Sequence, residues 1–266
     1  MYIISSISIL LENFSSLLSY NSRYKIWTIF EVPNGCGDYI KITYIRKEND
    51  SYGMENYLCY FHCYRCIRHN SDIMLVDRDW KHAAILSLKE EESFNAFTNQ
   101  IFYAHAVQQH MIQIHSSMID YQGKGLLFLG PSGIGKTTQA ELWNQYRGAL
   151  IINGDMNFVQ ETEDGFLGWG TPWHGSSPYC ENTNVPVHAL VILKQAPENS
   201  IRELKNFEKV QKASDNVIYP TWLENGMELC LETLDHLLTK IPVYELSCRP
   251  DEDAVKLTEE TVFGSN

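Results

Sequence analysis

No apolar run in this 266-residue chain approaches the length of about 20 residues that a bilayer-spanning helix needs. The sequence therefore offers no membrane span. Basic residues are also scarce, with 21 Lys and Arg against 33 Asp and Glu, for a net charge of −12. Phosphate chains are gripped by clustered Lys and Arg, so this balance argues against nucleic acid as a partner. An isolated nucleotide pocket is still compatible with an acidic surface. The seven cysteines are odd in number, which fits reduced thiols better than a secreted disulfide framework. Residues 1–18 carry Glu12 and many serines, lack a basic leading segment and show no small-residue cleavage site. They do not read as a signal peptide, and a cytoplasmic location is expected. Internal repeats and low-complexity segments are absent.

What the chain does have is a hydrophobic fraction of 44%, enough for a real core, and one complete phosphate-binding loop. Gly130-Pro131-Ser132-Gly133-Ile134-Gly135-Lys136-Thr137 fits G-x-x-x-x-G-K-[ST]. It follows the apolar run Leu126-Leu127-Phe128-Leu129 and precedes a helix-compatible stretch beginning at Thr138. In that strand–loop–helix context, backbone N–H groups of the glycine-rich turn and the positive end of the helix surround phosphates. Lys136 supplies a point charge to the β- and γ-phosphates, and the Thr137 hydroxyl is a ligand for Mg²⁺. The expected ligand is ATP or another nucleoside triphosphate with Mg²⁺. The plain alternative is a surface turn that carries a lysine.

The rest of the chain sorts into two parts. Residues 24–32 and 39–46 are strand-like runs rich in Ile, Tyr and Thr, separated by the turn chemistry of residues 33–38. Residues 47–55 are polar and read as a loop, and 73–76 and 83–88 read as further strands. From 91 to 110 Phe94, Phe97, Ile101, Ala104 and Gln108 recur at helical spacing. Residues 112–121 and 125–129 flank Gln122-Gly123-Lys124, the simplest arrangement being a hairpin. Beyond the loop helix, strands are expected at 149–152, 189–193 and 243–246, and helices at 227–239 and 251–260. A boundary near residue 110 divides a β-rich N-terminal module (1–110), suited to substrate recognition, from a nucleotide-binding domain (111–266).

Three further residues are drawn to the loop. Asp155 lies at the exit of the first strand-like run after the loop helix, where a carboxylate can hold Mg²⁺ or take a proton from an attacking hydroxyl. Asn153-Gly154-Asp155 is also ordinary turn chemistry. A hairpin turn centred near Gly123 and Lys124 sets His115 opposite Ser132, beside the phosphates, where it would polarise a phosphate oxygen or assist proton transfer; an ordinary strand histidine is the competing explanation. Gly168-Trp169-Gly170-Thr171-Pro172-Trp173-His174-Gly175 is incompatible with a helix or central strand and reads as a shaped loop. Within it His174 is the candidate for ligand contact. Separately, Cys59, Cys63 and Cys66 have C-x₃-C-x₂-C spacing, with His69 following. That spacing suits an iron–sulfur motif or a Cys/His zinc site, and equally cysteines packed as small hydrophobes among aromatic residues; the last reading is preferred.

Together Ile114-His115-Ser116-Ser117, the strand pair, the loop and the acidic strand end resemble the C-terminal domain of HPr kinase/phosphorylase, within the phosphoenolpyruvate-carboxykinase-like phosphate-loop kinases. Residues 170–175 and 244–251 look more like the smaller HPr-kinase-related proteins, some of which phosphorylate serine in a peptide precursor and others free serine. The resemblance spans about residues 110–260. It implies an α/β (α+β) fold with a mixed sheet, and a Mg²⁺- and ATP-dependent kinase acting on a serine-type hydroxyl of a peptide or small molecule. Lys136 and Thr137 then match the phosphate and metal residues, His115 the histidine before the loop, and Asp155 one member of an acidic pair. The pair is usually Asp-Asp, whereas this chain has Gly154-Asp155. That departure keeps a second function in view, a nucleotide-binding accessory protein with little turnover. Acceptor identity, ATP against GTP and homo-oligomerisation stay open.

Overall fold

The computed structural model describes residues 2–4, 7–9, 25–33, 39–46, 65–70, 72–87 and 91–264. The chain divides into two compact units, Met1–His105 and Ala106–Asn266. In the first, β1 (Tyr2–Ile4) pairs with β2 (Ile7–Ile9). A five-stranded sheet contains β3 (Lys25–Pro33), β4 (Tyr39–Arg46), β5 (Arg65–His69), β6 (Asp72–Val76) and β7 (His82–Ser87) in the order β3-β4-β7-β6-β5. Its neighbours run antiparallel except β4 and β7. Helix α1 (Glu91–Ala106) buries Phe94, Phe97, Ile101 and Ala104, the stripe expected from their spacing. The helix read to residue 110 ends earlier, in a 3₁₀ turn at Val107–Gln109, and His110 takes a left-handed conformation with φ of 53°. Cys59, Cys63 and the polar loop at 47–55 lie outside the described residues; Cys66 is an exposed free thiol on β5.

The second unit is built around a hairpin. Strand β8 (Met111–Tyr121) turns through Gln122 and Gly123 into β9 (Lys124–Leu129), with Tyr121 opposite Lys124. Both turn residues have positive φ (54° and 76°), the signature of a tight two-residue turn that matches strand twist. After the phosphate loop come α2 (Lys136–Arg147), β10 (Leu150–Asn153), β11 (Met156–Thr162), β12 (Gly165–Trp169) and β13 (Asn184–Gln195). The unit continues with β14 (Ser200–Glu203), α3 (Asn206–Ser214), β15 (Val217–Ile218), α4 (Gly226–Lys240), β16 (Val243–Cys248) and α5 (Glu252–Phe263). Two strands serve two sheets. One sheet runs β10-β8-β9-β13-β16-β14, with β9, β13 and β16 parallel. The other, antiparallel, runs β15-β8-β11-β12-β13. The result is the mixed sheet of an α/β fold.

This arrangement corrects one sequence expectation and adds elements that the sequence reading did not include. Gly168 and Trp169, read as part of a loop, close strand β12 inside the sheet. An added Cβ at Gly168 would lie 2.4 Å from Met118 Sδ, so any side chain there requires Met118 to move. Strand β11 and helix α3 were not anticipated at all.

The core beneath the phosphate loop follows from strand and helix periodicity. Leu126 and Phe128, two apart on β9, meet Ala140 and Trp143, three apart on α2, with Val191, Leu246 and Val255 completing the cluster. At its rim, Tyr121 packs edge-on against Trp143 and Phe263, with ring centroids 5.1 and 5.3 Å away. The Tyr121 hydroxyl donates to Glu259 Oε1 at 2.6 Å and Arg147 Nε donates to Glu259 Oε2 at 2.5 Å. These bonds clamp α2 to α5. Burial opposes ionisation of Glu259, but the two donors outweigh it and hold the carboxyl below its usual range. Because the folded value lies below the unfolded one, this stabilisation is present above the ordinary carboxylate range and is lost as pH falls through the folded value. Glu259→Gln is expected to lower Tm at neutral pH by about 2–6 °C. The deficit against the unsubstituted chain should shrink in acid, which thermal melts across a pH series measure.

Candidate nucleotide site

The phosphate loop leaves β9 at Gly130 and enters α2 at Lys136. Its three glycines all have positive φ, at 142°, 79° and 112° for Gly130, Gly133 and Gly135, a backbone path that side chains resist. Gly135 is the helix N-cap and offers no side-chain acceptor, so the first-turn N–H groups of α2 lack a side-chain cap. Pro131, Ser132 and Gly133 are exposed, Gly130 is buried, and Ile134 N–H folds back onto the Pro131 carbonyl. Thr138, in the first turn, is exposed.

Lys136 is buried, at 7% exposure, and its ammonium donates to the carbonyls of Gly130 (3.1 Å) and Pro131 (3.4 Å). Burial depresses its pKa, and attraction to Asp155 partly offsets this. Among the described residues Lys136 has no carboxylate within ion-pair distance. A buried ammonium held by main-chain carbonyls, next to uncapped helix N–H groups, fits an incoming anion.

A buried amide sets the start of the loop. Asn216, after α3, accepts the Gly130 N–H through Oδ1 at 2.8 Å and the His115 N–H through its main-chain oxygen at 2.9 Å. Its Nδ2 donates to the Lys212 carbonyl at 2.9 Å. Sequence reasoning missed this residue, and no local pattern marks it.

On the other side, β10 ends at Asn153, which is fully buried. Its Oδ1 accepts the N–H groups of Asp155 (2.8 Å) and Met156 (3.1 Å), a side-chain turn that aims Asp155. Its Nδ2 donates to the Thr171 carbonyl at 2.9 Å and so ties down the segment before His174. The Gly154 carbonyl accepts from Ser117 Oγ at 3.0 Å and Thr137 Oγ1 at 3.3 Å.

His115 and Asp155 do meet. Nε2 of His115 lies 3.0 Å from Asp155 Oδ1, each side chain being about a quarter exposed (27% and 28%). An ionised carboxylate only accepts, so the imidazole donates through Nε2. The pairing differs from the expected one: with the turn at Gln122-Gly123 the β8–β9 ladder ends at Ser116 opposite Leu129, and His115 faces Met156 of β11 rather than Ser132. Placing the turn one residue late shifted that register by two.

His174 is partly buried and its Nδ1 hydrogen-bonds the Ser177 carbonyl within the same loop. The neighbouring Gly175 has φ of 57°, and an added Cβ would fall 2.4 Å from Asp155 Oδ2. The loop after β12 therefore lies directly over the candidate base. Gly154 is equally constrained, since a Cβ there would sit 1.9 Å from Ser177 Oγ and 2.5 Å from Ser177 Cβ. The second acid of the expected pair has no room while Ser177 keeps its place. Beside the phosphate loop a cleft of about 550 Å³ opens at the carboxyl ends of β13 and β16, lined by Gly133, Gln139, Gln195, Cys248 and Arg249 among others. Ligands of open α/β sheets lie in such positions. Burial raises the Cys248 thiol to about 11, so it stays protonated at neutral pH.

Asn216→Ala removes the acceptor of a buried Gly130 N–H. It is expected to cost about 1–3 kcal/mol of stability and to weaken nucleotide binding about tenfold, both read by titrating melting temperature against ATP. Gly175→Ala should leave ATP affinity within about threefold and lower any turnover at least tenfold, because it displaces Asp155 and not the loop.

No protein-family model matches the chain. Among curated proteins it is 27% identical over 149 residues to the HPr kinase/phosphorylase of Brevibacillus brevis, covering 55% of this chain and 45% of that protein. It is 25% identical over 118 residues to the HPr kinase/phosphorylase of Mycoplasmopsis pulmonis, covering 40% and 36%. The chain thus spans less than half the length of these relatives. Among solved structures, the Hpr(Ser) kinase/phosphatase from Coxiella burnetii aligns with 57% of this chain and 87% of its own, at 12% identity and a TM-score of 0.33. A score that low carries no weight for the fold or the site. The weak sequence similarity supports an HPr-kinase-like family for the chain.

Proposed function

We propose that this HPr-kinase-like chain is an ATP-dependent kinase that transfers the γ-phosphoryl group to a serine-type hydroxyl, in a peptide or a small molecule, with Mg²⁺. The observation that carries the reading is the convergence of a buried Lys136, an uncapped α2 N-terminus and an Asp155 oriented by His115. The first two suit a polyphosphate and the third suits removal of a proton from an acceptor.

In this reading the main-chain N–H groups of the loop and the Lys136 ammonium hold the phosphates. Thr137 and Asp155 are the oxygen donors for Mg²⁺, which when bound neutralises charge that develops on the phosphate oxygens. The acceptor hydroxyl attacks the γ-phosphorus as its proton passes to Asp155 Oδ2, and the bond to the β–γ bridging oxygen breaks, leaving ADP. His115 acts through Asp155: its N–H on Oδ1 leaves Oδ2 as the oxygen free for the proton. The cleft beside the loop is assigned to the remainder of the nucleotide. The N-terminal unit is assigned to acceptor recognition. Nucleic acid remains outside the proposed partners on charge, and no described helix is long and apolar enough to cross a membrane.

A second reading, nucleotide binding with little turnover, rests on Gly154, which removes one carboxylate from the site. Incubation with γ-labelled ATP, serine and candidate peptides separates the two. Label transferred to a hydroxyl supports the kinase, and ATP binding without transfer to any acceptor supports the alternative.

Lys136→Ala is expected to abolish ATP-dependent heat in calorimetry while preserving the melting transition. Asp155→Asn should lower kcat by about 10²–10⁴ with ATP affinity changed far less. An unchanged kcat removes Asp155 from the role of base. His115→Ala should lower kcat by a smaller factor than Asp155→Asn, since it only orients the carboxylate; a fall in Tm with kcat intact would make it structural.

A further inference from the structure

The loop that covers Asp155 brings a second oxygen to the site from a direction the phosphate-loop motif does not supply. The point where a Gly154 side chain would begin lies 1.9 Å from Ser177 Oγ and 3.8 Å from Thr137 Oγ1. The Ser177 hydroxyl and the hydroxyl assigned to the metal thus border the same space over Gly154. It is also held in place. Ser177 N–H donates to the His174 carbonyl at 3.0 Å, the Ser177 carbonyl accepts from His174 Nδ1, and Ser177 Oγ accepts the Tyr179 N–H at 3.3 Å. Gly154 N–H donates to the Tyr179 carbonyl at 3.4 Å, pinning the loop to the end of β10.

Two of the other oxygens at this corner, the Gly154 carbonyl and Asp155 Oδ1, are already engaged. The Gly154 carbonyl accepts two hydroxyls, those of Ser117 and Thr137. Asp155 has Oδ1 against His115, and its Oδ2, the oxygen assigned to the proton, lies under Gly175, where an added Cβ would fall 2.4 Å away. A small hard divalent cation takes six oxygens in near-octahedral geometry, several of them from water. One side-chain hydroxyl and one partly engaged carboxylate form a thin protein contribution to such a shell.

Resting on the magnesium-nucleotide reading above, we propose that Ser177 Oγ is an oxygen ligand of that cation, directly or through one bound water, and that residue 154 is glycine because Ser177 fills its side-chain space. The cation site is then assembled from two segments, the phosphate loop through Thr137 and the covering loop through Ser177. Cation binding also fixes the covering loop over Asp155, coupling metal to the placement of the base.

The test uses the full chain, ADP and Mn²⁺ as probe, with free Mn²⁺ read by electron paramagnetic resonance. Ser177→Ala is expected to weaken Mn²⁺ affinity in the presence of ADP by about tenfold, the loss typical of an outer or water-linked donor. Metal-free ADP affinity should hold. Ser177→Cys replaces a hard oxygen by a soft sulfur, so it should lose Mn²⁺ affinity and gain Cd²⁺ affinity, an inversion that a packing role does not produce. Gly154→Asp alone should lower Tm through collision with Ser177, and Gly154→Asp with Ser177→Gly should recover both Tm and Mn²⁺ affinity. Unchanged Mn²⁺ affinity in Ser177→Ala together with an unchanged Mn²⁺/Cd²⁺ preference in Ser177→Cys overturns the proposal while the nucleotide reading stands. If the unsubstituted chain binds ADP with no added Mn²⁺ affinity, or binds no ADP, the magnesium-nucleotide reading fails first and this inference falls with it.

Discussion

Strand β8 changes partners halfway along, and the candidate site sits at the change. From Ser116 to Tyr121 it pairs with β9 and so decides where the phosphate loop begins. From Met111 to His115 it pairs with β11 and so decides where Asp155 emerges. At the junction the His115 N–H goes to the Asn216 carbonyl and the Ser116 N–H to the Asp155 carbonyl, both at 2.9 Å. Side chains alternate along a strand, so a slip of one residue in either ladder would turn His115 away from Asp155 or bury it. Loop, histidine and carboxylate are positioned by one continuous set of backbone hydrogen bonds. Donors and acceptors fixed in this way need little reorganisation when charge develops, and in a site sheltered from water that is where electrostatic stabilisation is largest.

Two amide side chains make the junction rigid. Asn153 and Asn216 are both buried, and each bonds through its oxygen and its nitrogen. Unpaired, either would carry a desolvation cost of about 1–3 kcal/mol per polar atom. Satisfied, they join segments that are distant in sequence: Asn216 links α3 to the loop and to β8, and Asn153 links β10 to β11 and to the covering loop. A buried network in which every member is paired specifies one arrangement of its surroundings. That is the demand a site places on segments separated by nearly a hundred residues.

The same distinction decides what was legible in the sequence. The phosphate loop, its flanking strand and helix, and the pairing of β8 with β9 are local patterns, and each reads from a short window. Asp155 was legible because the strand before it is apolar and brief. Gln122 hid the register, since a non-glycine residue at φ of 54° is not signalled by composition. Strand β12 was hidden because Gly168 reads as a breaker, while its reason is tertiary: Met118 crosses above it. Asn216, Ser177 and the exclusion of a side chain at 154 are contacts between segments far apart, and periodicity carries no trace of them. Cys66 shows the converse: expected to pack as a small hydrophobe, it is exposed on β5 at the edge of its sheet, while Cys59 and Cys63 lie outside the described residues.

Charge and space at the site lead to one further step. Lys136 is a buried cation whose partners are two carbonyls of its own loop, and the helix behind it presents uncapped N–H groups. Both are donors suited to an anion, so a polyphosphate would replace ammonium–carbonyl contacts by bonds in which both partners are charged. On the facing side Asp155 is a single carboxylate, and the space a side chain at 154 would take is filled by the Ser177 hydroxyl. An acid at 154 would add repulsion toward a bound polyphosphate and pull toward a divalent cation, and glycine supplies neither. On the magnesium-nucleotide reading proposed above, the balance would shift from holding metal independently toward holding it only with its nucleotide, the phosphate oxygens supplying the negative charge that residue 154 does not.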